Sequence, residues 1–145
     1  MRDLPRQLTA NELAELFEGR TRFVEQLSAV EQPLDRAHEV ARGLSDEEKK
    51  EVLDAHPPIG GTATSERSQR EQGTDDDPGV LAELARLNAA YEEKFGFRFV
   101  VFVNRRPKAK ILEVLRERIE RQREQELDTA VGELCAIAED RWRNS

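Results

Sequence analysis

Two short stretches of this chain carry side chains whose types and spacing could do acid–base chemistry. The first is His56-Pro57-Pro58, followed closely by Gly60-Gly61. A histidine titrates near neutral pH and can give or take a proton where most side chains cannot. Placed just before proline it marks the end of a helix, because proline disfavours helical geometry in the residue before it. The helix dipole at such an end favours the protonated ring. A histidine in this place is also an ordinary helix stop, so the first stretch alone leaves both readings open. The second stretch is Ser68-Gln69-Arg70-Glu71-Gln72. On a helix Ser68, Glu71 and Gln72 stand at i, i+3 and i+4 and share a face. A carboxylate within reach of an imidazole would orient the ring and stabilise its charged form, while the hydroxyl and the carboxamide could hydrogen-bond a polar heterocycle. Taken alone, the same triplet is a solvated helix face. The only other histidine, His38, lies between Ala37 and Glu39 in a helical run and reads as a surface residue.

Apolar residues recurring at helical spacing make up the elements that must position these groups. A helix is expected from about residue 10, after the capping residues Thr9 to Glu12, through Leu13, Leu16 and Phe17 to Gly19. Thr21 caps a second, with Phe23, Val24, Leu27 and Val30 on one face. Pro33 opens a third, through Leu34, Ala37, Val40 and Ala41 to Gly43. Ser45 and Glu48 form a capping box that launches a fourth, running to His56. Residues 57–66 read as a loop and 67–73 as a short helix. Pro78 starts a long amphipathic helix through Leu84, Leu87 and Tyr91 to Gly96. Phe97, Phe99, Val100, Val101, Phe102 and Val103 are β-like by propensity. With no partner strand elsewhere, they are expected as a buried extended segment or a single turn. Pro107 starts a helix through Ile111, Leu112, Leu115 and Ile119, and a last helix is expected from Leu127 to about Arg143. The fold class is therefore all-α, one compact helical domain over residues 1–145 with about seven to nine helices.

Composition narrows the function. Apolar and charged residues each make up 37% of the chain, which fits helices with extensive charged surface. A net charge of −7 disfavours nucleic acid as a partner. Arg116, Arg118, Arg121 and Arg123 alternate with Glu117, Glu120, Glu124 and Glu126, a pattern expected of a solvated face held by i,i+4 pairs. Cys135 is the single cysteine, so there is no intrachain disulfide and no cysteine metal cluster; it reads as a buried, inert thiol. No stretch is apolar for long enough to span a membrane and no leader pattern is present, so a cytoplasmic protein is expected.

In order along the chain stand His56-Pro57-Pro58-Ile59-Gly60, then Ser68-x-x-Glu71-Gln72, then Leu87-Asn88-x-x-Tyr91-x-x-Lys94-Phe95-Gly96-Phe97-x-Phe99-Val100. Glu133, Ile137-Ala138 and Arg141 follow. With these motifs the sequence resembles the 2-oxo-4-hydroxy-4-carboxy-5-ureidoimidazoline (OHCU) decarboxylase family from about residue 10 to residue 143. The resemblance implies an all-helical homodimer that decarboxylates OHCU to (S)-allantoin in urate degradation without metal or organic cofactor. It makes His56 the catalytic acid/base and Glu71 its partner. It places Pro57, Ser68, Gln72 and the backbone of Phe99, Val100, Val101, Phe102 and Val103 around the substrate, and gives Arg141 an anion-binding role. Ile59, Phe97 and Phe99 are expected as apolar walls that exclude water. A non-catalytic binding protein of the same fold, or a lyase or isomerase acting on a related ureido or imidazoline acid, would share these features.

Overall fold

The computed structural model describes residues 3–57 and 77–144. Among them are seven helices: α1 (Ala10–Phe17), α2 (Arg22–Ser28), α3 (Pro33–Arg42), α4 (Asp46–Asp54), α5 (Pro78–Phe95), α6 (Lys108–Arg118) and α7 (Arg123–Arg143). No strand occurs among the described residues. The all-α class therefore holds. The short helix expected over 67–73 lies outside the described residues.

Local chemistry sets most of the helix starts. Thr9 and Glu12 cap α1 reciprocally, as Ser45 and Glu48 cap α4, so two orphan backbone N–H groups are satisfied at each start. Thr21 accepts from the Val24 amide at the head of α2. Asp77 accepts from the Gly79 amide, with Pro78 in the first turn of α5. Pro33 opens α3 as expected. The last helix begins four residues earlier than expected, at Arg123, because Glu126 is a fully buried polar residue that apolar periodicity does not register.

One apolar cluster runs through all seven helices. The long α7 packs against α1, α3 and α4, α2 packs against α1, α3 and α4, and α5 packs against α6. Between α5 and α6 the chain is extended from Arg98 to Val103, without a partner strand, as the sequence predicts. Phe97 and Phe99 are both buried. Their rings join Tyr91 and Phe95 in an aromatic cluster with centroid separations of 4.6 to 5.9 Å. In an extended chain residues two apart point to one side, and here that side is the core.

The alternating charges of residues 116–126 also differ from a simple solvated face. Arg121 and Glu117 do form an i,i+4 pair. Arg118 and Glu126, however, are buried at 3% and 0% exposure and pair at 2.8 Å. Glu126 also accepts from the Tyr91 hydroxyl at 2.6 Å, and Arg118 lies 4.6 Å from the Phe99 ring centroid while donating to the Val100 carbonyl. A charge pair can be buried when hydrogen bonds and ring contacts replace the lost water. This one ties three helices to the extended segment.

Candidate functional site

Four pieces of chain converge on His56: the end of α4, the end of α1, the last turn of α7 and the segment after α5. His56 follows Ala55, the C-cap of α4, and its amide donates to the Leu53 carbonyl at 3.1 Å. The residue is buried, and Nδ1 meets no hydrogen-bond partner among the described residues. Pro57 beside it is buried too.

The end of α1 comes close because of Gly19: a Cβ there would stand 3.2 Å from that of Ala55. Gly19 was expected to end the helix. The residue that ends it is Glu18, which takes the left-handed conformation (φ 64°) that a non-glycine residue adopts at some cost. Its half-buried carboxylate pairs with the buried Arg141 at 3.1 Å. Arg141, in the last turn of α7, also donates to the Leu16 carbonyl at 2.9 Å. The two contacts fix one guanidinium beside the imidazole.

The second guanidinium belongs to Arg98. Its Nη1 donates to the His56 carbonyl at 2.7 Å and to the Asp54 carbonyl at 3.0 Å. Its Nε donates to Glu92, and its backbone amide donates to the Asp54 carboxylate.

These surroundings decide the protonation state. Burial pushes the His56 pKa down to about 4; Arg141 lowers it further, Glu18 opposes this, and Arg98 again lowers it. The ring is thus neutral near pH 7. This corrects the expectation that the helix end favours the protonated form: a helix dipole acts weakly at an exposed terminus, whereas desolvation and two nearby guanidinium groups both act against a cation.

The extended segment presents backbone held in place from behind. Arg118 takes the Val100 carbonyl, Arg106 takes those of Phe102 and Val103, and Glu133 accepts from the Phe102 amide at 3.4 Å. Of the residues singled out in the sequence, the structure brings His56, Pro57 and Arg141 into one region. Ser68, Glu71, Gln72 and Ile59 lie outside the described residues. His38 is partly exposed and contacts Asp128 at 3.3 Å, in keeping with a surface role. Cys135 is buried and its thiol pKa is pushed up to about 12 by burial. Among the described residues no group of three or more His, Cys, Asp or Glu is placed to hold a metal, and no helix is long and apolar enough to cross a membrane.

Sequence reasoning passed over Arg98 and Glu18. Arg98 had a signal: a single charge alternating with aromatics in a β-like run must face away from them, toward whatever packs on the other side. Glu18 had none, since nothing in its neighbouring residues marks the left-handed backbone it adopts or its pairing with the distant Arg141.

Comparisons with known proteins bear on the fold and the family. The crystal structure of an OHCU decarboxylase in the presence of (S)-allantoin superposes with a TM-score of 0.74 at 30% identity, covering 90% of this chain and 94% of that one. The OHCU decarboxylase of Mus musculus is 36% identical over 96 residues, 60% of this chain and 54% of the mouse protein. The uric acid degradation bifunctional protein TTL of Arabidopsis thaliana is 37% identical over 99 residues, 61% of this chain and 31% of the plant protein. The chain thus spans about a third to a little over half of the length of these curated relatives. Residues 3–143 match the family model of OHCU decarboxylase, and the chain belongs to the OHCU decarboxylase family.

Proposed function

We propose that the protein decarboxylates OHCU to (S)-allantoin in urate degradation, with His56 as the acid/base. The observation that carries this reading is the buried, neutral imidazole whose Nδ1 has no partner among the described residues, set beside Arg98 and Arg141. A buried polar atom costs stability unless it meets a hydrogen-bond partner, and a polar substrate can supply one. A neutral base beside Arg141, a guanidinium that shares its charge with Glu18, suits an anionic substrate, whose carboxylate would in turn favour the protonated ring.

The chemistry needs no external electron sink. OHCU carries hydroxyl and carboxylate on one ring carbon, next to the ring carbon that bears the ureido group and a C=N bond. When the C–C bond to the carboxylate breaks, CO2 leaves and the bonding pair enters that C=N system, giving an enol with the negative charge on nitrogen. The nitrogen takes a proton from solvent. The enol hydroxyl then gives up its proton as the C=O forms, and the ureido-bearing carbon gains one. Neutral His56 can accept the hydroxyl proton and, as imidazolium, deliver it to carbon on one face, which sets the (S) hand. General acid–base help of this kind is worth roughly 10²–10⁴-fold.

Glu71 is assigned the role of orienting and stabilising the imidazolium, and Ser68 and Gln72 that of hydrogen-bonding the ring. The backbone of Phe99, Val100, Val101, Phe102 and Val103 is assigned to the substrate, supported by the partners that hold the segment in place through the carbonyls of Val100, Phe102 and Val103 and the amide of Phe102. Arg141 supplies positive charge for the carboxylate. We further propose one domain over 1–145, a homodimer, a cytoplasmic setting and turnover without metal or organic cofactor, on the strength of the family resemblance and of a substrate that carries its own electron sink. The test is to follow freshly generated OHCU by circular dichroism with and without the protein. Faster appearance of the (S)-allantoin signal supports the reading, and an unchanged rate rejects it.

A further inference from the structure

We propose that Arg98 is a positioning residue for this reaction: by gripping the His56 carbonyl and the end of α4 it holds the imidazole in register with the extended segment that faces the substrate. The inference rests on the function proposed above. Arg98 bridges residues 42 to 44 positions away in the chain, with Nη1 donating to the carbonyls of His56 (2.7 Å) and Asp54 (3.0 Å). A helix leaves its last carbonyls without intrahelical partners, and at α4 one guanidinium nitrogen takes two of the carbonyls around that end. The grip is reinforced on both sides. The Arg98 amide donates to the Asp54 carboxylate, which Lys50 also contacts, and Nε donates to Glu92 on α5.

Position within the segment explains why this residue can serve catalysis rather than the fold. Phe97 and Phe99 on either side are buried in the aromatic cluster, while the Arg98 side chain is 29% exposed. Water can therefore satisfy much of what it leaves behind. What water cannot restore is the fixed offset between His56 and the backbone of Phe99 to Val103, and a misplacement of about 1 Å in such a site can cost 10²-fold in rate. Among the described residues the charged groups that act on His56 are Arg141 from α7, Glu18 at the end of α1 and Arg98 from the segment, with Asp54 on its own helix paired to Lys50. Removing Arg98 deletes one of the two cations among the described residues that disfavour the imidazolium.

The test compares wild type, Arg98→Gln and Arg98→Lys in two readouts. Turnover of OHCU is followed by circular dichroism, and the ring signals of His56 are titrated by NMR, with His56→Ala identifying which of the two histidines is which. Arg98→Gln is expected to lower kcat by about tenfold or more, with a far smaller change in KM, and to move the His56 titration to higher pH. Arg98→Lys is expected to leave the titration near wild type but restore kcat only in part, because an ammonium lacks the planar array of donors that a guanidinium offers. Wild-type kcat in both variants, or a His56 titration unmoved in Arg98→Gln, would overturn the inference. If Arg98→Gln does not fold, Arg98→Lys decides by kcat alone. Absence of OHCU turnover by the wild type would instead count against the proposed function, and the NMR titration would still report on the Arg98 contact.

Discussion

The neutral state of His56 has a measurable thermodynamic consequence. In an unfolded chain the ring titrates near 6.5, and in the folded protein near 4. Between these values the unfolded chain binds a proton that the folded chain refuses, so stability is full above about pH 6.5 and falls as the pH drops toward 4. Each unit of separation corresponds to 1.36 kcal/mol, so the loss across the whole window is about 3 kcal/mol. That is a large share of the 5–15 kcal/mol typical of a small domain. Urea unfolding of wild type and of His56→Gln at intervals from pH 7.5 to 4.5 isolates the effect, since every other titrating group is common to both. The wild type is expected to lose stability more steeply by most of that amount over the window. Glu18→Gln should carry the loss on to lower pH without steepening it, because Glu18 is the neighbour that favours the cation and one group binds at most one proton. Parallel pH profiles for wild type and His56→Gln would refute the reasoning, for they would mean that the folded protein accommodates the imidazolium without cost.

Four further outcomes follow from the geometry. The kcat/KM for OHCU should be level around neutral pH and fall as the pH approaches 4, where the free protein's His56 gains its proton; a fall centred near 6.5 would contradict the burial of the ring. Arg118→Met should cost about 3–5 kcal/mol in urea unfolding, because it takes the buried guanidinium from the fully buried Glu126 carboxylate and leaves it only the Tyr91 hydroxyl and the more distant Arg121. Ser45→Ala should cost about 1 kcal/mol by the same measure, through loss of the α4 capping box. A thiol reagent at pH 8 should leave Cys135 unmodified in the native protein and label it in denaturant, since burial keeps the thiol protonated.

The helices were legible because their signals are local. Thr9, Thr21, Ser45, Pro33, Pro78 and Gly96 announce starts and stops by chemistry within a few residues, and the extended run from Phe97 to Val103 could be read from its lack of a partner strand. The buried polar elements were not legible in this way. Glu126 sits among alternating charges that look solvated, and only the approach of Tyr91, Arg118 and the Val100 carbonyl from distant parts of the chain makes it interior. The early start of α7 follows from the same residue. At the site, His56 and Arg141 could be named from motifs, but the protonation state could not. It depends on burial and on Arg98, Arg141 and Glu18, which come from three other elements. A helix-end rule applied to His56 alone therefore gave the wrong sign.

The central claim is that His56 carries the acid–base work of decarboxylation with Glu71 as its partner. Turnover of OHCU by His56→Ala, Glu71→Gln and the double variant tests it most directly, with His38→Ala as the control. His56→Ala is expected to lower kcat by at least about 10² with its helical spectrum intact, and Glu71→Gln nearly as much. The double variant should be little worse than His56→Ala, because residues that act as a unit are not additive. His38→Ala, altering a partly exposed contact with Asp128, should be near wild type. Wild-type production of (S)-allantoin by His56→Ala would contradict the account.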